Sequence, residues 1–482
     1  MTGSEGTEPF RVDDPDATPS ARTGLPVVVI GAGPVGLAAA AHLLDRGLEP
    51  LVLEAGPQVG ANIAQWRHVR LFSPWCLALD PVSVRLLGAA GWTGPDPSTL
   101  PTGADLLDQY LQPLAAMPAL TSRIRLHSRV VAIARRDLDK VRTPGRERLP
   151  FAVRVRVGSG RLHDLEARAV IDASGTWTQP NPLGASGLPA LGEADARRHI
   201  TYGLPDVLGR DRARFAGLRV LVVGAGHSAA TSLLALAELE RQAPATQIVW
   251  AVRSATPRPL VGKGSAGADE LPARGRLATD LAALVDAGHI QLVSGFRISE
   301  VRLAGDRVVL HGNQVHGDHD LADASSRRVE ADQVIAATGF RPDHVIAREL
   351  RLALDPGLES AVALGPLIDP NVHTCGTVPA HGIAELAHPD PGYVIAGMKS
   401  YGRAPTFLLA TGYQQVRSVV AALAGDRAGA AERGEGPPTA AVCATNRTLL
   451  ARAGTGRLLD TAAPPAPLAG TAADWSTATC CP

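Results

Sequence analysis

An α/β fold of two parallel sheets, each with a small antiparallel β-meander, is predicted by three observations on the 482-residue sequence. A strand, a glycine turn, a helix and a second strand follow one another between residues 26 and 54. The same succession recurs about 190 residues later. After each unit come stretches that alternate apolar and polar residues, the period of half-buried strands. The length calls for two or three domains, or one domain carrying an insertion.

Residues 1–24 are polar and acidic (Glu5, Glu8, Asp13, Asp14, Asp16) and contain no apolar run. A disordered leader without a signal peptide is expected there. Pro26–Ile30 then reads as a strand, Gly31–Gly36 as a turn, Leu37–Arg46 as an Ala/Leu helix stopped by Gly47, and Glu49–Leu53 as a strand ending on Glu54. Phe151–Val157 and Glu166–Ile171 form the first meander. The second unit comprises Arg219–Val223, the turn Gly224–Ala229, the helix Thr231–Arg241 and the strand Gln247–Val252, ending on Arg253. Ile298–Leu303 and Arg307–His311, joined at Gly305-Asp306, form the second meander. From Asp426 the composition shifts to Ala, Gly, Pro and Thr, a tail with one helical candidate at Thr448–Arg452.

With 50 glycines the chain would show about half a Gly-x-Gly-x-x-Gly match by chance, so spacing alone says little. Context supplies the argument. Gly31, Gly33 and Gly36 follow a strand and open a helix. In a dinucleotide-binding turn the first glycine permits the bend, the second admits a pyrophosphate, and the third lets helix and strand pack. Glu54 lies 23 residues after Gly31, where a carboxylate accepts ribose hydroxyls. The second turn, Gly224-Ala-Gly226-His227-Ser228-Ala229, replaces the third glycine by alanine. Its strand ends on Arg253, with Arg258 beyond, and an arginine fork suits the 2′-phosphate of NADPH. A solvated surface arginine is the other reading of Arg253. His227 either bonds a phosphate or is an ordinary residue of a helix start. Both units thus read as Rossmann-like dinucleotide-binding domains.

On these residues the chain resembles the two-dinucleotide-binding-domain flavoproteins, which include flavin-containing, N-hydroxylating and Baeyer–Villiger monooxygenases and thioredoxin-reductase-like enzymes. The resemblance covers roughly residues 25–425 and rests on four pieces in order. These are Gly31–Gly36, Asp172-Ala-Ser-Gly-Thr-Trp177, Gly224–Ala229 and Ala337-Thr-Gly-Phe-Arg-Pro-Asp343. It implies an FAD-binding domain from 25–195 and 345–425, an NADPH-binding domain inserted at 196–344, and a Cys-containing tail at 426–482. For FAD it implies contacts from Gly31, Gly33, Pro34, Gly36, Glu54, Ala55, Asn62, the backbone of Val131, Ala173, Gly175 and Trp177. Gly397, Arg403, Pro405 and Thr406 would lie near the isoalloxazine. For NADPH it implies Gly224, Gly226, His227, Ser228, Ala229, Arg253, Arg258, Thr338 and Gly339.

In such enzymes the flavin carries the chemistry, and the protein positions and shields it. Asn62, Gln65, Trp66, His68 and Arg70 form a polar-aromatic cluster where the superfamily often lines the flavin, which makes Asn62, Trp66, His68 and Arg403 the catalytic candidates. Trp66 and Trp75 serve equally well as core residues. The sequence holds no Cys-x-x-Cys pair, and Cys76 and Cys375 stand alone as small buried hydrophobes, which disfavours a disulfide reductase. A monooxygenase needs no protein nucleophile, and this reading leads. The Phe-x-Gly-x-x-x-His fingerprint of ketone-oxygenating members is unmet, because Gly192 lies seven residues before His199. A soft heteroatom is therefore the expected target, with an NADPH-dependent flavin reductase or oxidase as the alternative.

Forty-seven basic residues against forty-seven acidic ones leave no footprint for nucleic acid or an anionic membrane. No apolar run is long enough to span a membrane, and five scattered cysteines suit a reduced, cytoplasmic chain. The partners expected are a small-molecule substrate and oxygen, and a homo-oligomer is compatible with this reading. Scattered histidines offer no zinc spacing. Cys443, Cys480 and Cys481 are three soft donors in the tail. The chain also resembles flavoprotein monooxygenases found beside arsenic-resistance genes, so a metalloid-handling tail is a further alternative to incidental cysteines.

Overall fold

The computed structural model describes residues 22, 24–255, 272–316, 324–373 and 378–432. Its strands, in chain order, are Val27–Ile30 (β1), Pro50–Leu53 (β2), Ile124–Arg125 (β3), Ser128–Arg135 (β4), Phe151–Val157 (β5), Leu162–Ala167 (β6), Ala169–Asp172 (β7), Ile200–Tyr202 (β8), Arg219–Val223 (β9), Gln247–Ala251 (β10), Ile290–Val293 (β11), Phe296–Ala304 (β12), Arg307–Gln314 (β13), Ser325–Ala331 (β14), Gln333–Ala336 (β15) and Tyr393–Ile395 (β16). They form two five-stranded parallel sheets, ordered β16-β7-β1-β2-β3 and β11-β10-β9-β15-β8, and two three-stranded antiparallel sheets, β4-β5-β6 and β12-β13-β14.

The central strands of each parallel sheet are apolar because both of their faces are covered. Every residue of β1 and β7 is buried, as are all of β9 after its first. Helix Pro34–Asp45 packs on the first sheet through Leu37, Ala39, Ala40 and Leu43, and Leu409–Leu423 packs against that helix through Val416, Val419 and Val420. The other face of the first sheet meets the meander through Ile133, Phe151, Val153 and Val155. In the second sheet, helix His227–Gln242 covers one face with Leu233 and Leu236, and Leu310, Val308 and Val329 of the second meander cover the other.

Several boundaries differ from the sequence reading. Both turn helices start at the turn itself, at Pro34 and His227 and not at Leu37 and Thr231, because the second glycine of each turn is already the N-cap. Glu166–Ile171 is two strands, since the chain leaves the meander after Ala167 and enters the parallel sheet at Ala169. The two strands run on with only Arg168 between them, and periodicity alone cannot reveal that the chain changes sheets there. The second meander gains a third strand, Ser325–Ala331, whose four arginine and serine residues mask its pattern. Arg427–Ala431, inside the stretch read as tail, is a short helix packed on Leu409–Leu423, with Asp426 capping it and bonded to Arg46 Nη1 at 2.7 Å. The leader and Thr448–Arg452 lie outside the described residues. No helix among the described residues is long and apolar enough to cross a membrane.

Candidate functional site

Both glycine turns sit at the carboxyl ends of central strands and obey one steric rule. A Cβ on Gly31, whose φ is +96°, would come 2.9 Å from the Ala173 carbonyl oxygen, and one on Gly224, at +133°, 2.2 Å from that of Ala337. The first glycine of each turn therefore lies against the strand-to-loop crossover beside it. A Cβ on Gly36 would fall 1.9 Å from the Gly31 oxygen. The second glycines are the opposite case, for nothing lies within 4 Å of a Cβ on Gly33 or Gly226. Each is the N-cap of its helix, and no side chain caps the first backbone N–H groups. Pro34 is at the first helical position, where its missing N–H is no loss. Ser228 and buried Ala229 continue the second helix, and the His227 ring lies 5.0 Å from that of Phe72 in the first half of the chain.

Glu54 is held ready by backbone alone. Its Oε2 accepts the Ala32 N–H at 2.8 Å and its Oε1 accepts the Gly56 N–H at 2.7 Å, with exposed Ala55 between. Val131 lies at a β-bulge, because Val130 pairs with Val155 and Ala132 with Arg154, leaving Val131 without a ladder partner. Arg253 is exposed just past β10 and donates from Nη1 to the Ala185 carbonyl at 3.1 Å. Arg258 lies outside the described residues.

The two crossovers are zipped together by a residue that sequence reasoning missed. Asn181 donates its backbone N–H to the Gly339 oxygen at 2.9 Å and its Nδ2 to the Thr338 oxygen at 3.1 Å. Thr338 Oγ1 donates back to the Asn181 carbonyl at 2.6 Å, and Arg341 Nε to Asn181 Oδ1 at 2.8 Å. Beside this zip runs an aromatic row. Trp177 stacks on Phe340 with ring centroids 4.9 Å apart and meets Trp66 at 6.5 Å, and its Nε1 donates to Gln65 Oε1 at 2.9 Å. Trp66 is thus in the row, and its ring packs where a Cβ on Gly103 would clash. Trp75, by contrast, is core. The rest of the expected polar-aromatic cluster disperses. Asn62 accepts only a long 3.4 Å bond from Gln65, His68 is exposed, and Arg70 turns to the Leu100 carbonyl.

Behind the first crossover lies a buried ion pair that no motif announced. Lys399 Nζ donates to Asp172 Oδ2 at 2.7 Å and to Ser174 Oγ at 3.2 Å, and Tyr393 Oη donates to the same carboxylate at 3.1 Å. Burial by itself would raise the Asp172 carboxyl, but the Lys399 ammonium and these hydrogen bonds outweigh it and hold it below the ordinary carboxylate range. The pair ties Ala173 and Gly175, at the end of β7, to Gly397, at the end of β16. Gly397 is also clamped by Gln415, whose Oε1 accepts its N–H at 2.8 Å while its Nε2 donates to Ser400 Oγ and to His381 Nε2, each at 2.9 Å. Arg403 pairs with Glu359 at 2.7 Å, a residue held at φ +59°. Pro405 is exposed, and buried Thr406 Oγ1 has no hydrogen-bond partner.

Cys76 corrects an expectation. It is buried between Phe72, Leu77 and Leu408 and is disulfide-bonded, not a free thiol. Cys375, Cys443, Cys480 and Cys481 lie outside the described residues.

Residues 26–94 match the family described as FAD dependent oxidoreductase. Among curated proteins, 15-cis-phytoene desaturase of Narcissus pseudonarcissus is 43% identical over 51 residues, 11% of this chain and 9% of that protein. Flavin-containing monooxygenase FMO GS-OX-like 2 of Arabidopsis thaliana is 27% identical over 234 residues, 44% of this chain. The chain spans less than half the length of these relatives, 46% in the second case. The fold is shared with bacillithiol disulfide reductase of Bacillus cereus, at 18% identity and TM-score 0.60, over 83% of this chain and 99% of that one. It is shared with the cadaverine monooxygenase of the desferrioxamine pathway of Erwinia amylovora, at 17% and 0.58, over 86% and 97%. It is shared also with the ornithine N-hydroxylase of Kutzneria sp. 744, solved with FAD, NADP+ and L-ornithine, at 16% and 0.54, over 84% and 99%. Residues 26–94 thus match an FAD-dependent oxidoreductase family, and the chain shares its fold with these three solved proteins.

Proposed function

We propose that the protein is an FAD-dependent, NADPH-consuming monooxygenase acting on a small molecule at a soft heteroatom. The observation that carries this reading is the repeated turn: two uncapped helix N-termini, each behind an open second glycine, suit two pyrophosphates. In this reading residues 25–195 and 345–425 hold FAD, and 196–344 hold NADPH. Glu54 takes the adenosine ribose, the unpaired backbone of Val131 the adenine, and the orphaned Thr406 hydroxyl a polar atom of the isoalloxazine. Arg253 reads the 2′-phosphate. Bound flavin would supply hydride acceptance and oxygen activation. The chain's own part is to orient both nucleotides and to exclude water, a task suited to the row Trp66–Trp177–Phe340 and to the Asn181 zip. The ornithine N-hydroxylase and the cadaverine monooxygenase that share the fold, the first solved with NADP+, support a nitrogen target within that class.

A reductase is the second reading, favoured by the Cys76 disulfide packed against Leu408 and Phe72. The test is a coupled assay on the yellow holoenzyme. A monooxygenase consumes oxygen with NADPH and releases less hydrogen peroxide when an amine or thioether substrate is added. NADPH oxidation that proceeds anaerobically with a disulfide acceptor, and shows no substrate-dependent oxygen uptake, selects the reductase instead.

A further inference from the structure

The second parallel sheet and its meander enclose a shared core that is left open at one edge. On the face toward the meander, β9, β10 and β11 present apolar rows: Leu221 and Val223, Val249 and Ala251, and Val293. One pleat earlier on the same face stand Arg219, Gln247 and Gln291, so the row at the amino-terminal edge is polar. Facing them on β14, Arg327 shares a side with buried Val329 and Ala331 and points toward the sheet where the apolar contact ends. The gap is a cavity of about 460 Å3, within the range of roughly 300–1,000 Å3 typical of small-molecule sites. It lies at the amino ends of the strands, opposite the glycine turns.

Four arginines and two carboxylates line it, and the carboxylates are spent unevenly. Asp332 Oδ1 binds Arg307 Nε at 2.9 Å and its Oδ2 accepts the Arg219 backbone N–H at 2.7 Å, while Glu330 lies 3.7 Å from Arg328. The Arg219 guanidinium has only neutral acceptors. Its Nε donates to the Glu330 carbonyl at 2.9 Å, and its Nη1 and Nη2 donate to Gln247 and Gln291 Oε1 at 2.9 and 3.0 Å. Arg327 has no partner among the described residues, and neither do the amide nitrogens of Gln247 and Gln291. Two guanidiniums without a carboxylate and two amide donors thus converge on one cavity, a donor set for multidentate anion recognition.

We propose that this cleft is a second ligand site, distinct from both nucleotide turns, that takes a compact polyanion bearing two or more phosphate or carboxylate groups. Isothermal titration of the FAD-loaded protein with inorganic pyrophosphate, and separately with citrate, at constant ionic strength tests it and tells phosphate from carboxylate. Saturable binding of at least one probe, one per chain, is expected. It should weaken about ten-fold or more in Arg327→Ala, an exposed and unpaired position whose loss leaves the fold intact, and should persist in Gly226→Val, which blocks the second turn. Failure of both probes to bind, equal binding by wild type and Arg327→Ala, or loss of binding in Gly226→Val overturns the proposal. None of these outcomes depends on the monooxygenase reading.

Discussion

At the scale of single residues, the open second glycines and the Asp172–Lys399 pair carry the sharpest consequences. Valine at Gly33 fits the protein, because nothing lies within 4 Å of its Cβ, but it fills the space a pyrophosphate would enter. Gly33→Val should therefore fold with unchanged circular dichroism and purify without flavin absorbance. Full flavin occupancy would falsify the assignment of this turn. Arg253→Ala should lower the NADPH preference over NADH in kcat/KM by roughly 10- to 150-fold, the worth of a charge-assisted contact of about 1.5–3 kcal/mol. An unchanged ratio removes Arg253 as the reader. Lys399→Met leaves a buried carboxylate uncompensated, at an expected loss of about 3–5 kcal/mol in urea unfolding near neutral pH. Asp172 is held low in the wild type, so its contribution is present above the ordinary carboxylate range and fades only as pH falls below it. Without the ammonium, burial raises that carboxyl, so the deficit of Lys399→Met should shrink toward acid. A pH-independent deficit would contradict this account.

At the scale of an element, β4 shows how a local irregularity exposes backbone. Its buried positions are Ser128 and Val130, then Ile133 and Arg135, so the inward phase slips by one residue at Val131. The bulge absorbs that slip and frees the Val131 peptide from the ladder. Deleting Val131 should restore regular pairing without turning the inward residues outward, and so preserve the fold. Weaker FAD binding, by about ten-fold for one lost backbone hydrogen bond of order 1 kcal/mol and the altered strand path, is the expected result of fluorescence titration. FAD affinity equal to wild type would show that the bulge serves only packing.

For the whole molecule, buried neutral histidines set the acid limit of stability. Burial, reinforced by nearby His344, pushes His388 down to about 4 from 6.5, and burial lowers His344 and His381 as well. The unfolded chain thus takes up protons that the fold refuses. The stabilisation is complete above about pH 6.5 and is lost as pH falls toward 4, at roughly 3 kcal/mol for His388 alone. Urea midpoints should decline from pH 7 to pH 5, and His388→Gln should flatten that decline. A wild-type midpoint constant over this interval would refute it.

Strand, turn and helix order in both units was legible in the sequence, because tight glycine turns and fully buried strands impose residue types locally: Gly31, Gly36 and Gly224 each meet backbone that excludes any side chain. The positions of Glu54 and Arg253, just past β2 and β10, follow from those turns for the same reason, while their binding roles belong to the proposal. The Asn181 zip, the Lys399–Asp172 pair, the aromatic row and the Cys76 disulfide were not. Lys399 lies 227 positions from Asp172 and Asn181 lies 157 from Thr338, and no periodicity links such residues. Only the pairing of β16 with β7, and of one crossover with the other, brings them together. Burial then decides the outcome, because a charge taken from water must find its partner wherever in the chain it lies.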